Sequence, residues 1–169
     1  SISELANRHH RYWQVVELNR QALAIDPDNS RALTAMGTNL LRFGLENEAE
    51  GLKAMRRAFE LDPFNVRTFN TLNLYEDVIS KEYEVVKSGV FTYRFHKKER
   101  AMLVRYVDPV MQDAWKSYVQ KYGFTPKNPI LVELFTNRDH YGARTIGLPE
   151  LGAQGTCFGE LITAMSPSS

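Results

Sequence analysis

Apolar side chains recur at helical spacing along the first eighty residues and alternate from Glu82 onward. Leu33, Met36, Leu40 and Leu41 form one stripe, Gly44 breaks it, and Ala49, Leu52, Met55, Ala58, Phe59 and Leu61 form a second. This pattern predicts two helices joined by a turn. The block Ala22-Leu23-Ala24-Ile25-Asp26-Pro27-Asp28-Asn29 returns 36 residues later as Ala58-Phe59-Glu60-Leu61-Asp62-Pro63-Phe64-Asn65. A residue before proline is pushed out of the α region, so each block ends a helix and the next one starts afresh. Recurrence at this period marks stacked supersecondary units. Residues 5–25 read as the closing helix of a preceding unit, and Val66 to about Ile79 as the opening helix of a following one.

In the second half, Tyr83–Lys87 and Val90–His96 flank a Ser88-Gly89 turn signal and predict a β-hairpin, with Phe91, Tyr93 and Phe95 on one face and Thr92, Arg94 and His96 on the other. One of these faces should be core. Apolar pairs at 102/103, 106/107, 110/111, 114/115 and 118/119, then Tyr122, predict a long helix that stops at Gly123 and covers a sheet. Pro109 either kinks this helix or, with Asp108 as cap, starts a second; a continuous kinked element is preferred. Ile130–Phe135 reads as a central strand. Thr136 or Asn137 would cap a short helix through Tyr141, residues 147–155 carry too many glycines for a regular element, and Cys157-Phe158 with Leu161–Met165 form one or two further strands. The order β-β-α-β-α-β predicts an α+β fold.

Composition narrows the chemistry. With 169 residues, 43% of them hydrophobic, the chain can bury a core in one or two domains. A net charge of +1 gives no overall pull toward nucleic acid or an anionic surface, so no nucleic-acid partner is expected. The single cysteine excludes an internal disulfide and a thiol zinc cluster. No apolar run approaches a membrane span and the N-terminus has no secretory pattern, which leaves the compartment open. Opening at Ser1 and closing on Ser166-Pro167-Ser168-Ser169, the chain reads as a piece of a longer protein. A thiol enzyme built on Cys157 and His140 is rejected, because Cys157 sits in an apolar strand pattern that reads as buried packing. Trp13 and Trp115 read as core residues, and the run from His96 to Arg100 as a solvated helix start.

The repeated block resembles the tetratricopeptide repeat. Gly37 fits the small residue where two helices cross, Ala49 and Ala58 fit the small packing positions, and Pro63 fits the closing proline, although the period exceeds the usual value of about 34 and Asn73 stands where a third unit would want glycine. The resemblance implies a concave face lined by Arg31, Thr34, Thr38 and Arg42, then Arg67, Asn70 and Leu74, on which a peptide or protein partner could lie. The opposing implication is that so short an array merely braces a neighbouring domain.

The second half carries its own resemblance. Val132-Glu133-Leu134-Phe135, Arg144-Thr145-Ile146-Gly147-Leu148-Pro149, residues 151–159 and Ala164-Met165-Ser166-Pro167 are similar to the region upstream of the zinc-binding helix in bacterial peptidase MA-like proteins, gluzincin-type metallopeptidases that often carry tetratricopeptide repeats. That family binds zinc through a His-Glu-x-x-His helix whose glutamate acts as general base. The present chain has only His9, His10, His96 and His140, with no such pair, so it should hold no cofactor itself; zinc belongs to the longer protein. The resemblance implies that residues 156–165 form the edge strand beside the cleft, with Thr163, Ala164 and Met165 nearest to it, and that the 147–155 loop shapes its rim.

The expectation is therefore an α+β chain with helical repeats over 1–80 and an incomplete peptidase-like subdomain over 81–169. It would be inactive alone, its α+β half forming the substrate-side wall of a zinc peptidase cleft. The alternative is a non-enzymatic repeat scaffold or adaptor. A sheet cut before its covering elements would also favour self-association through an exposed face or edge.

Overall fold

Each Asp-Pro-x-Asn block ends one helix and begins another. The computed structural model describes residues 2–168; its first half comprises α1 (Ile2–Arg8), α2 (Tyr12–Ile25), α3 (Ser30–Leu40), α4 (Glu48–Leu61) and α5 (Val66–Asn73). Asp26 and Asp62 close α2 and α4. Asn29 and Asn65 then cap α3 and α5, their side chains accepting from the N–H groups of Ala32 (3.0 Å) and Thr68 (3.2 Å). The predicted helix over 5–25 is interrupted, because the chain turns at His9–Arg11, where His10 takes a left-handed φ of 57° and its Nδ1 lies 2.5 Å from the Tyr12 hydroxyl.

Helices α3 and α4 approach most closely at two glycines. A Cβ on Gly37 would stand 2.8 Å from the Gly51 carbonyl oxygen and 2.5 Å from Met55 Cγ, so any side chain would push the pair apart. Gly51 supplies the small residue expected at Ala49, which is exposed; a 3₁₀ turn at Leu45–Asn47 precedes α4 and sets this facing. Beyond α5 the helix widens into a π segment, Leu74–Ile79, and closes as α6 (Ser80–Glu82). Leu74, Tyr75 and Ile79 of that segment are buried against the second half.

The second half contains β1 (Tyr83–Ser88), β2 (Phe91–His96), α7 (Arg100–Tyr122), β3 (Ile130–Phe135), α8 (Arg138–Ile146), β4 (Gly155–Phe158) and β5 (Leu161–Met165). The five strands form one mixed sheet in the order β1-β2-β3-β5-β4, with the two inner pairings parallel and the two outer ones antiparallel. The protein is thus α+β. Pro109 lies inside α7, which runs as one helix. Asn137 caps α8 by accepting from Asp139 and His140, and the helix extends past Tyr141 to Ile146.

Both faces of β2 are buried, where the sequence pattern predicted one. Phe91, Tyr93 and Phe95 stack their rings at 5.8 and 5.2 Å beneath Leu103 of α7. Thr92 and Arg94 face the other way and are covered by the helical half. On that side Phe135 packs with Leu41, Met55, Leu72, Tyr75 and Tyr141, so one core runs across the boundary between the two halves.

Thr163, Ala164 and Met165 require a correction. They lie on β5, which is hydrogen-bonded to β3 on one side and β4 on the other, so its backbone has no free side to offer a peptide. The border strand is β4. Only half of the α7 pattern covers the sheet: Leu103 is buried and Val107, Met111 and Trp115 pack on the sheet, whereas Tyr106, Val110, Tyr118 and Tyr122 are exposed.

Candidate functional site where the helices meet the sheet

Glu133 stands inside the apolar run of β3 and is fully buried, which a carboxylate tolerates only when paired. Arg94 of β2 places Nη1 2.6 Å from Glu133 Oε1, and Arg144 of α8 places Nε 2.6 Å from Oε2, the latter a contact of charges without hydrogen-bond alignment. Arg94 also reaches Glu48, in the first turn of α4, at 2.7 Å. Both guanidinium groups lie over the Tyr75 ring, at 5.8 and 5.5 Å from its centroid. Burial opposes the charge of each arginine, but Glu133, Glu48 and Tyr75 together more than offset it, and both pKa values stand above the ordinary value. Burial also pushes the Tyr75 hydroxyl far up, away from ionisation. Two cations and two carboxylates balance, so the cluster ties α4, α8 and the sheet together and leaves no group for proton transfer.

Beside this tie, a cavity of about 280 Å³ separates α3 and α5 from α8, β4 and β5. Four residues of the predicted concave face, Thr34, Thr38, Arg42 and Arg67, line it. Asn70 instead donates to the Gly147 carbonyl (3.0 Å), Arg31 is exposed outside the wall, and Leu74 joins the core. The face expected to receive a peptide is thus apposed to the chain's own α8. Gly147, left-handed at φ 76°, ends that helix so close to α5 that a Cβ would stand 2.7 Å from Arg67 Cβ. Helix ends carry carbonyls without intrahelical partners. At the end of α3 the second half supplies them, through Arg144 Nη2 to the Leu41 carbonyl (2.8 Å) and the Glu160 N–H to the Arg42 carbonyl (3.1 Å).

Arg42 lies over the rings of Tyr12 and Phe158, at 4.8 and 4.6 Å, and its Nη1 donates to Asn39 (3.1 Å) and Asn7 (3.3 Å). Burial lowers its pKa, and no carboxylate acts in the opposite direction. Thr68, fully buried, has a hydroxyl with no hydrogen-bond partner.

A second feature lies at the border of the sheet. The Met165 N–H donates to the Gln154 carbonyl (3.0 Å), which makes 154/165 a hydrogen-bonded pair. Antiparallel alternation then makes 156/163 and 158/161 bonded pairs as well, and turns the N–H and C=O of Gly155 and Cys157 toward the outer side. Among the described residues no strand pairs with them there. Alongside runs a groove of about 610 Å³ lined by His10, Tyr12, Trp13, Phe43 and Cys157. Trp13, expected in the core, is 45% exposed and stacks on Phe43 at 4.1 Å. Cys157, expected buried, is exposed because its strand is the outermost one; partial burial still pushes its thiol up, away from a reactive thiolate.

Among the described residues, no group of three or more His, Cys, Asp or Glu side chains is placed to hold a metal ion, and no helix is long and apolar enough to cross a membrane. Comparison with protein-family models, curated proteins and solved structures finds no match. The sequence reading assigns Thr68 no role and names Arg144 only within a family motif, without its buried partner. A signal for Arg144 existed, since Glu133 within Ile130–Phe135 demands a buried cation; Thr68 gives none, because its burial depends on α8 docking against α5.

Proposed function

We propose that this chain binds polypeptide in extended form along the outer border of β4. In the longer protein it would act as the substrate-side wall of a peptidase MA-like zinc metallopeptidase, with the tetratricopeptide-like helices as its brace. The observation that carries the reading is the pair of outward-facing peptide groups at Gly155 and Cys157 beside the aromatic groove. An added strand would pair with these groups and send alternate side chains toward Tyr12, Trp13 and Phe43. The glycine-rich segment 147–154 leads directly into this border, where the family resemblance puts the rim of a cleft. The contact of α3 and α5 with α8 favours bracing over peptide capture by the helices. Among the described residues no cluster of His, Cys, Asp or Glu is placed for a zinc site, and the share proposed for this chain is to bind and orient a peptide.

Fluorescence polarisation with a panel of labelled, unstructured ten-residue peptides tests the binding. Cys157→Pro removes one outward N–H while leaving the inner pairing intact, since the 157/162 pair is not hydrogen-bonded and border strands tolerate proline. Saturable binding that is lost in this variant and kept in Cys157→Ser, with unchanged melting, is the expected result. Equal binding by Cys157→Pro, or no binding by any peptide, sinks the reading. Zinc-dependent cleavage of bound peptides by the longer protein separates a peptidase from a non-enzymatic scaffold, which binds without cutting.

A further inference from the structure

The cavity between α3, α5 and α8 has a charge imbalance that folding alone does not explain. A guanidinium withdrawn from water ordinarily meets a carboxylate. Arg42 meets only amide oxygens and ring faces, although Glu133 answers Arg144 nearby. Arg67, on the same wall but exposed to solvent, has no ion pair among the described residues, and the lining contains no carboxylate. The first turn of α5 contributes Arg67 and Thr68 to this wall and brings the positive end of the helix dipole with it. Thr71 and Thr145 spend their hydroxyl protons on the Arg67 and Tyr141 carbonyls. Thr34, Thr38 and Thr68 keep theirs available, and that of Thr68 is fully buried without a partner.

We infer that this cavity is a binding site for a small oxyanion, a carboxylate or phosphate group on a molecule that fits about 280 Å³, with Arg42 as counter-charge and Thr68 as donor. Its two ligands come from the first turn of α5 and from the end of α3, and the sheet half closes the cavity around them, since Arg144 of α8 and Glu160 of the β4–β5 turn hold the end of α3. The inference is independent of peptide binding at β4.

Calorimetric titration at constant ionic strength, with chloride as the balancing ion, tests it with three probes: inorganic phosphate, succinate, and a tripeptide with free or amidated C-terminus. Saturable binding of at least one probe is expected, weakened at least tenfold in both Arg42→Gln and Thr68→Val. Which probe binds identifies the source of the group: a phosphate, a free organic acid, or a chain end that amidation abolishes. Thr68→Val replaces a buried unpartnered hydroxyl by a methyl and should hold or raise the melting temperature, so its loss of binding cannot be misfolding. Binding by none of the probes overturns the inference, as does equal affinity in the wild type and Thr68→Val. Cys157→Pro should leave this binding unchanged.

Discussion

At the scale of single residues, Glu133 has the largest leverage. It is the one carboxylate shared by Arg94 and Arg144, all three being buried. Glu133→Gln keeps the shape and removes the charge, leaving two desolvated cations with Glu48 as their nearest compensation. Breaking a buried pair from one side costs about 3–5 kcal/mol, so chemical denaturation of Glu133→Gln should show a loss of that order; a loss below about 1 kcal/mol would mean that the cluster is hydrated and contributes little. Glu133 was visible in the sequence as a charge inside an apolar strand, but its partners were not. Arg94 lies 39 positions before it and Arg144 eleven after, and only the parallel pairing of β2 with β3 and the return of α8 across the same face bring them together. Arg42 and Thr68 differ in kind, because what singles them out is a missing carboxylate at Arg42 and a missing hydrogen-bond partner at Thr68, which no sequence pattern records.

At the scale of elements, α7 and its hairpin are held by one carboxylate. Asp108, read as a possible helix cap, instead stays within α7 and accepts from Ser88 Oγ (2.9 Å), the Tyr93 hydroxyl (2.8 Å) and Gln112 Nε2 (3.0 Å). Burial opposes its ionised form, but the bonds from Gln112, Tyr93 and Ser88 outweigh that and hold its pKa below the ordinary value. A depressed folded-state pKa gives a contribution present in full above the unfolded value, about 3.9, and lost as pH falls through the lower folded one. Asp108→Asn should therefore be less stable than wild type at neutral pH, with the deficit shrinking in acid below about pH 4. A deficit of constant size from pH 7 to pH 2, followed by thermal melting, would mean that charge plays no part. Alternation predicted β1 and β2 closely and a short apolar run predicted β3, whereas the fate of the last two strands depended on pairing order. The family resemblance implied a border strand over residues 156–165, but insertion of Leu161–Met165 between β3 and β4 makes that segment interior.

At the scale of the whole molecule, the sheet lies between α7 on one face and the helical half with α8 on the other. The outer flank of α7 remains apolar and uncovered, with Val110 66% and Tyr118 59% exposed against 2% for Leu103. Val110→Gln and Tyr118→Gln should change stability by no more than about 0.5 kcal/mol, whereas Leu103→Ala should cost about 2–5 kcal/mol; comparable losses at all three sites in denaturant melts would mean that the flank is covered in solution. The amino-acid sequence by itself determined the helix ends at Asp26, Asp62 and Gly123, which segments alternate and that the class is α+β, because Asp-Pro blocks, a closing glycine and side-chain periodicity act through neighbours a few residues apart. Tertiary structure alone decided which strand forms the border, which half of α7 is buried, and that the inner face of the first helices meets α8. Those outcomes depend on contacts between residues as distant as Leu41 and Arg144, whose free energy exists only once both halves have docked.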